Sequence, residues 1–186
     1  MHRCPGNETL SRVVLEKTPA MRRIIVLIFS LAIFAGCKKE GGAKVEIYLL
    51  KSYSVDTVQG NPSWVSIKNA VLDIAPFVRN EDIIFYDQLI HMFKLNRDIL
   101  PIIKDYGPDK AFAVTVNGEP IYYGHFHPAY MSSITVGVAT IDPIIFYHNE
   151  LTINFVTILQ SPALQLLDKR NDLRILNAFR ATGRLR

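Results

Sequence analysis

The chain has 186 residues, 49% of them apolar and 20% charged, with 10 Gly and 10 Pro. That composition excludes disordered, collagen-like and coiled-coil chains and fits one globular domain. The formal charge is +4, but Arg3, Arg12, Lys17, Arg22 and Arg23 all precede Cys37, from which point 16 basic residues face 15 acidic ones; without a field to gather phosphates, no nucleic-acid partner is expected.

Residues 1–20 show no apolar periodicity and read as an extension ahead of the true initiator, Met21. After Arg22 and Arg23 comes an uncharged run of eleven residues, Ile24 to Phe34, and then Ala35-Gly36-Cys37. A membrane span needs about 20 apolar residues, so residues 21–36 read as a signal peptide and not as an anchor. Small residues directly before Cys37 resemble the bacterial lipobox, which implies lipidation of Cys37: a diacylglyceryl group is added before cleavage and an acyl chain such as palmitate after it. Two or more acyl chains hold a protein on a bilayer stably, at about 0.8 kcal/mol per buried CH₂. The expected partner is therefore a membrane, reached through the lipid anchor, and the expected address is the bacterial cell envelope. Lys38 after the cysteine is compatible with the outer membrane. Residues 37–43, ending in Gly41-Gly42-Ala43, form a short tether. Cys37 is the one thiol left in the mature chain, and its acylation rules out a disulfide.

Residues 44–186 read as a single α+β domain with a mostly antiparallel sheet and two short helices. Val45, Ile47 and Leu49 alternate with Glu46 and Tyr48, predicting a strand over 44–53. Residues 54–63 read as a loop through Gly60-Asn61-Pro62, with Trp64 plugging an edge of the core. The stretch 67–74 is open between strand and helix, and Asn80-Glu81-Asp82 predicts a polar turn. Residues 83–93 are open between one helix and two strands around a turn at 86–88, and the second reading is preferred. Asn96 is a suitable N-cap for a helix over 97–106, shortened by Pro101 and stopped at Gly107-Pro108.

Residues 111–126 carry the clearest pattern. Phe112, Val114 and Val116 alternate with smaller residues, and Asn117-Gly118 suits a type I′ turn, so this is a hairpin. A regular register pairs Val116 with Glu119, Thr115 with Pro120, Val114 with Ile121 and Phe112 with Tyr123. Pro120 then marks a free strand edge near the turn. Two further strands are predicted over 134–139 and 151–159, and a helix capped by Asp172 runs through Arg180 with Leu173, Leu176 and Phe179 on one face.

His125 and His127, two apart on a strand, share a face and could ligate one metal beside Tyr123, although the spacing indicates no third ligand among His91, His148 or the carboxylates. Ser132 or Ser133 with His127 and Asp142 could form a nucleophile set, without the usual Gly-x-Ser-x-Gly elbow. Asp82 with Asp87, or Asp168 with Asp172, offers acid–base pairs that turn and cap roles explain equally well. The charged run 168–172 reads as a recognition loop or as a salt-bridged turn fixing the last helix. No Gly-rich phosphate loop and no Cys-x-x-Cys is present, and no cofactor is expected.

With these residues in place, the chain resembles a family of small Bacteroidota-type bacterial lipoproteins. The resemblance runs through VEIYLL at 45–50, NEDIIFYD at 80–87, HMFKL at 91–95, AFAVTVNGEPIYYG at 111–124, Pro128, Ser132-Ser133, Ile141-Asp142-Pro143 and DKRNDLRILNAF at 168–179. It implies an envelope address and a fold without a reaction, since that family has no established activity. The residues and the resemblance together favour a non-catalytic binding or structural module with an envelope protein partner. The alternative is a metal-dependent or serine hydrolase using His125, His127 and Ser132.

Overall fold

The computed structural model describes residues 42–58, 61–144, 147–157 and 162–186, without the side chains of 57, 58 and 61–64. The readings placed on residues 1–41, including Met21, the signal peptide and Cys37, lie outside the described residues, as do the side chain of Trp64 and residues 158–159.

The described unit, within Gly41–Arg186, is sheet-rich, and its strands are mostly antiparallel. Strands β1 (Val45–Val58), β2 (Asn61–Leu72), β5 (Ala111–Val116), β6 (Glu119–Phe126), β7 (Ala139–Ile141) and β9 (Asn154–Phe155) form a six-stranded sheet in the order β2-β1-β5-β6-β7-β9. Strands β3 (Ile83–Asp87), β4 (Met92–Leu95) and β8 (Glu150–Thr152) form a second sheet in the order β3-β4-β8. Three α-helices are described where two were expected: α1 (Leu100–Ile103), α2 (Pro162–Leu167) and α3 (Leu173–Ala181). Among the described residues no helix is long and apolar enough to cross a membrane.

Most of the core lies on one face of the six-stranded sheet. Ile47, Phe112, Val114 and Phe126 from that sheet meet Phe93 and Leu95 of β4, Ile99 and Ile103 around α1, and Ile175 and Phe179 of α3. Aromatic rings bind these layers. Tyr86 of β3 lies 4.6 Å from Phe93 and 5.5 Å from Phe179, centroid to centroid, and such pairs add about 0.5–1.5 kcal/mol beyond area burial. A smaller cluster of Ile67, Ala111 and Val138 fills the opposite face.

Several expectations change. Where a loop was predicted over 54–63, the described residues 54–58 and 61–63 are instead the end of β1 and the start of β2. Residues 54–56 are exposed on this two-stranded ribbon, where ladder hydrogen bonds need no apolar face. The stretch 67–74 is strand as far as Leu72. The helix predicted over 97–106 shrinks to Leu100–Ile103. The Asn96 side chain donates to the Glu81 carbonyl instead of capping, and Asp98 accepts from the Leu100 N–H. The strand predicted over 134–139 begins only at Ala139, because Gly137 takes φ +83° and turns the chain before it. The strand over 151–159 is broken into β8 and β9 at buried Ile153.

The last helix follows its signals. Asp172 accepts from the Arg174 N–H at the N-cap, and Gly183 follows at φ +69°. Its buried face is Ile175, Leu176, Ala178 and Phe179, while Leu173 is exposed. Asp172→Ala is expected to lower stability by about 1 kcal/mol in urea unfolding, the usual value of an N-cap.

Candidate functional site

The hairpin that carries the histidines forms as the Asn117-Gly118 turn requires, with both residues at positive φ. Val116 pairs with Glu119 and Thr115 with Pro120, but the next pairs are Val114–Tyr122, Ala113–Tyr123, Phe112–Gly124 and Ala111–His125. Ile121 is the extra residue of a β-bulge, which shifts the expected register by one and reverses the face of everything beyond it. Tyr122, Gly124 and Phe126 therefore enter the main core. His125 and His127 lie on the other face, opposite to the face of Val114 on which a regular register had put them.

There the ring nitrogens are occupied locally. His125 Nε2 is 3.2 Å from Thr135 Oγ1, and His127 Nε2 is 2.8 Å from the Ser133 carbonyl oxygen. Burial, and then the neighbouring His127, push the His125 imidazole down to about 4. The hydrolase constellation is not assembled. His127 meets the Ser133 backbone and not the Ser132 hydroxyl, and Asp142 Oδ1 accepts from the Ile144 N–H of its own turn and from the Ala129 N–H of the β6–β7 connection. Among the described residues no group of three or more His, Cys, Asp or Glu is placed to hold a metal ion. His91 Nδ1 instead faces the Tyr86 hydroxyl at 3.3 Å, and His148 Nδ1 faces Asp98 at 3.1 Å.

The carboxylates of the two acid–base pairs are each held in a turn, a cap or an ion pair. Asp82 is buried between Arg79 and Arg97, and Asp87 accepts from the Leu89 and Ile90 N–H groups in the β3–β4 turn. Arg170 takes both oxygens of Asp168, at 2.9 and 2.7 Å, and donates to the Ile153 carbonyl, while Asn171 donates to the Gln88 carbonyl. The charged run 168–172 is thus the salt-bridged turn that fastens α3 to the sheets. A polar depression of about 520 Å³ beside it is lined by His91, Asp168, Arg170, Asn171 and Asp172, each with a hydrogen-bond partner, and by Thr157, Gln165 and Lys169.

The feature with open binding capacity is one the spacing did not reveal. Strand β7 pairs in parallel with β6 only over Gly124, His125 and Phe126. Upstream of Ala139 the Gly137 bend carries the chain away from β6 towards β2, where Val136 accepts from the Val65 N–H. Residues 121–123 of β6 are left without a strand neighbour on that side among the described residues, next to Pro120 as the proline had indicated. The gap is a cleft of about 220 Å³ lined by Ile121, Tyr123, Val138 and Phe155 among others, with Lys169 and Arg170 at its margin. It is smaller than the roughly 300–1,000 Å³ typical of small-molecule sites. Gly137 between two valines was the available signal, since a glycine inside a strand pattern marks a bend or bulge.

Compared with protein-family models, with curated proteins and with solved structures, the chain gives no match.

Proposed function

We propose that this chain is a lipid-anchored lipoprotein of the bacterial cell envelope, at the outer membrane. Its residues 44–186 act as one non-catalytic α+β domain that binds an extended segment of an envelope protein. The cleft beside β6 carries this reading. It joins an unpartnered strand edge, which supplies backbone hydrogen bonds, to apolar walls that take side chains, the two elements of recognition by strand addition. Its size supports one or two side chains in preference to a cofactor. The order Arg22-Arg23, apolar run, Ala35-Gly36, Cys37 supports the anchor.

The test uses the full chain in a bacterial envelope, with a photo-reactive residue at Ile121 and, as control, at exposed Leu89. A diacylated N-terminal Cys37 peptide by mass spectrometry, release from membranes by Cys37→Ser, and a discrete protein adduct from position 121 alone are expected. Equal adducts from both positions, or an adduct to a small molecule at 121, would overturn the cleft reading; an unmodified Cys37 would overturn the anchor.

A further inference from the structure

The cleft has two walls of different chemistry, one on each face of the sheet. Tyr123 and Val138, with Val65 and Ile67 of β2, belong to the smaller apolar cluster. On the other face Tyr122 enters the main core and Phe155 packs at its edge, and beyond them stand Leu167 at the end of α2 and then Lys169 and Arg170. Arg170 lies over the Phe155 ring, 5.7 Å from its centroid, which places this basic pair on the Phe155 face. Side chains of an extended segment point alternately to the two faces of the sheet it joins. A strand added beside residues 121–123 of β6 therefore sends one residue towards Ile67 and Val138 and the next towards Lys169. We infer that the bound segment carries an acidic residue directly beside its apolar anchor, and that Lys169 receives that carboxylate. This specifies the partner and rests on the cleft reading above.

The charge at the cleft is one-sided. Lys169 and Arg170 are the charged residues that line it, and among the described residues no carboxylate does. Arg170 is spent on both oxygens of Asp168 and on the Ile153 carbonyl. Lys169 is exposed, and its ammonium makes no hydrogen bond or ion pair among the described residues. Asp172 feels the Lys169 charge, but its two oxygens are taken by the Arg174 side chain and N–H. The Lys169 ammonium is thus the uncompensated charge of an otherwise apolar opening. Such a rim charge selects an opposite charge and speeds its arrival more than it adds affinity, and it disfavours a basic segment. The location also suits a carboxylate. Lys169 and Arg170 line the polar depression as well as the cleft, so the acidic side chain ends on the ridge between them, in reach of water, and avoids the cost of a charge sealed in apolar surroundings.

The test uses the full chain in a bacterial envelope, with the photo-reactive residue at Ile121 and, in a parallel sample, a water-soluble carbodiimide. That reagent joins a carboxylate to a lysine amine as an amide and takes up the water that is lost. Lys169 Nζ is expected to be joined to an Asp or Glu of the same protein that position 121 captures. Lys169→Glu turns an attraction into a repulsion, each of the size of an exposed pair, and is expected to lower the yield from position 121 about tenfold. Lys169→Arg keeps the charge and is expected to hold the yield within about twofold while the amide disappears. Because the side chain is exposed, both variants are expected to unfold at the midpoint of the unsubstituted chain, which separates lost binding from lost fold. A yield unchanged in Lys169→Glu, or lost equally in Lys169→Arg, would overturn this inference and leave the cleft reading standing. So would an amide from Lys169 to a lipid, or to Asp172 of its own chain alone. Absence of any protein adduct from position 121 in the unsubstituted chain would instead overturn the cleft reading, and this one with it.

Discussion

Gly124→Ala is expected to destabilise the protein by about 3 kcal/mol, the upper end of the overpacking range. Gly124 sits opposite Phe112 in the β5–β6 ladder and beside Ala139 in β7. A methyl group there would lie 2.3 Å from Phe112 Cζ and 2.5 Å from the Ala139 carbonyl oxygen. The phenyl ring has nowhere to go. It is fully buried and stands edge-on to Phe126 with centroids 5.8 Å apart. The carbonyl can retreat only if β7 does, and β7 has just three residues paired with β6. Urea unfolding checks the magnitude through the midpoint at constant slope. Gly124→Ala combined with Phe112→Leu separates the two contacts, because only the ring clash is relieved. The double variant is expected to be more stable than the sum of the single effects by at least about 1 kcal/mol, as coupled neighbours are. Strict additivity would mean that the ring is not what Gly124 accommodates.

That glycine also explains why the hairpin was legible and its register was not. Asn117-Gly118 between alternating apolar residues identifies a two-residue turn and fixes the first two pairs, and both form as expected. Nothing in Ile121-Tyr122-Tyr123 announces a bulge, since either tyrosine or the isoleucine suits a buried face. The choice is made by tertiary packing: Gly124 must face the Phe112 ring, and the slip at Ile121 puts it there. The histidine face was lost with the register.

Elsewhere, local chemistry was enough where a residue acts on its own neighbourhood, as Asp172 does on the first turn of α3 and Asn80-Glu81-Asp82 on their own short turn of 3₁₀ helix. It failed where a polar side chain is claimed from afar. Asn96 is used by the Glu81 carbonyl 15 residues away and so does not cap a helix. The exposed ribbon of β1 and β2 was read as loop because its apolar pattern fades while its backbone pairing persists. The cleft was illegible for the same reason. It is a gap made by Gly137, β6 and β9 together, and no short stretch of sequence contains it.

Asp82→Ala is the second large effect, expected to cost about 3 kcal/mol, the lower end of what breaking a buried ion pair costs because both arginines reach solvent. The carboxylate is 2% exposed. One oxygen accepts from the Arg79 backbone N–H at 2.9 Å and lies 3.2 Å from Arg97 Nε, while the other is 3.3 Å from Arg79 Nη2. Removing it leaves the start of the 3₁₀ turn at Asn80 without its acceptor and Arg97 beside an apolar hole. Burial alone would raise this carboxyl, but the Arg79 N–H, the Arg79 side chain and Arg97 outweigh it and hold the group below its ordinary range. The stabilisation is therefore fully present above the ordinary carboxyl value near 3.9 and is lost as pH falls through the lower native one. Acid unfolding of the unsubstituted chain should show this loss and Asp82→Ala should lack it, with the two stability curves converging below about pH 4. Asp82→Asn keeps the shape and the N–H acceptor but not the charge. It is expected to recover part of the loss at pH 7 and none of the carboxylate's dependence on pH, which would separate the hydrogen bond to Arg79 from the attraction of the two guanidinium groups. An Asp82→Asn variant as stable as the unsubstituted chain would show that the buried charge contributes nothing here.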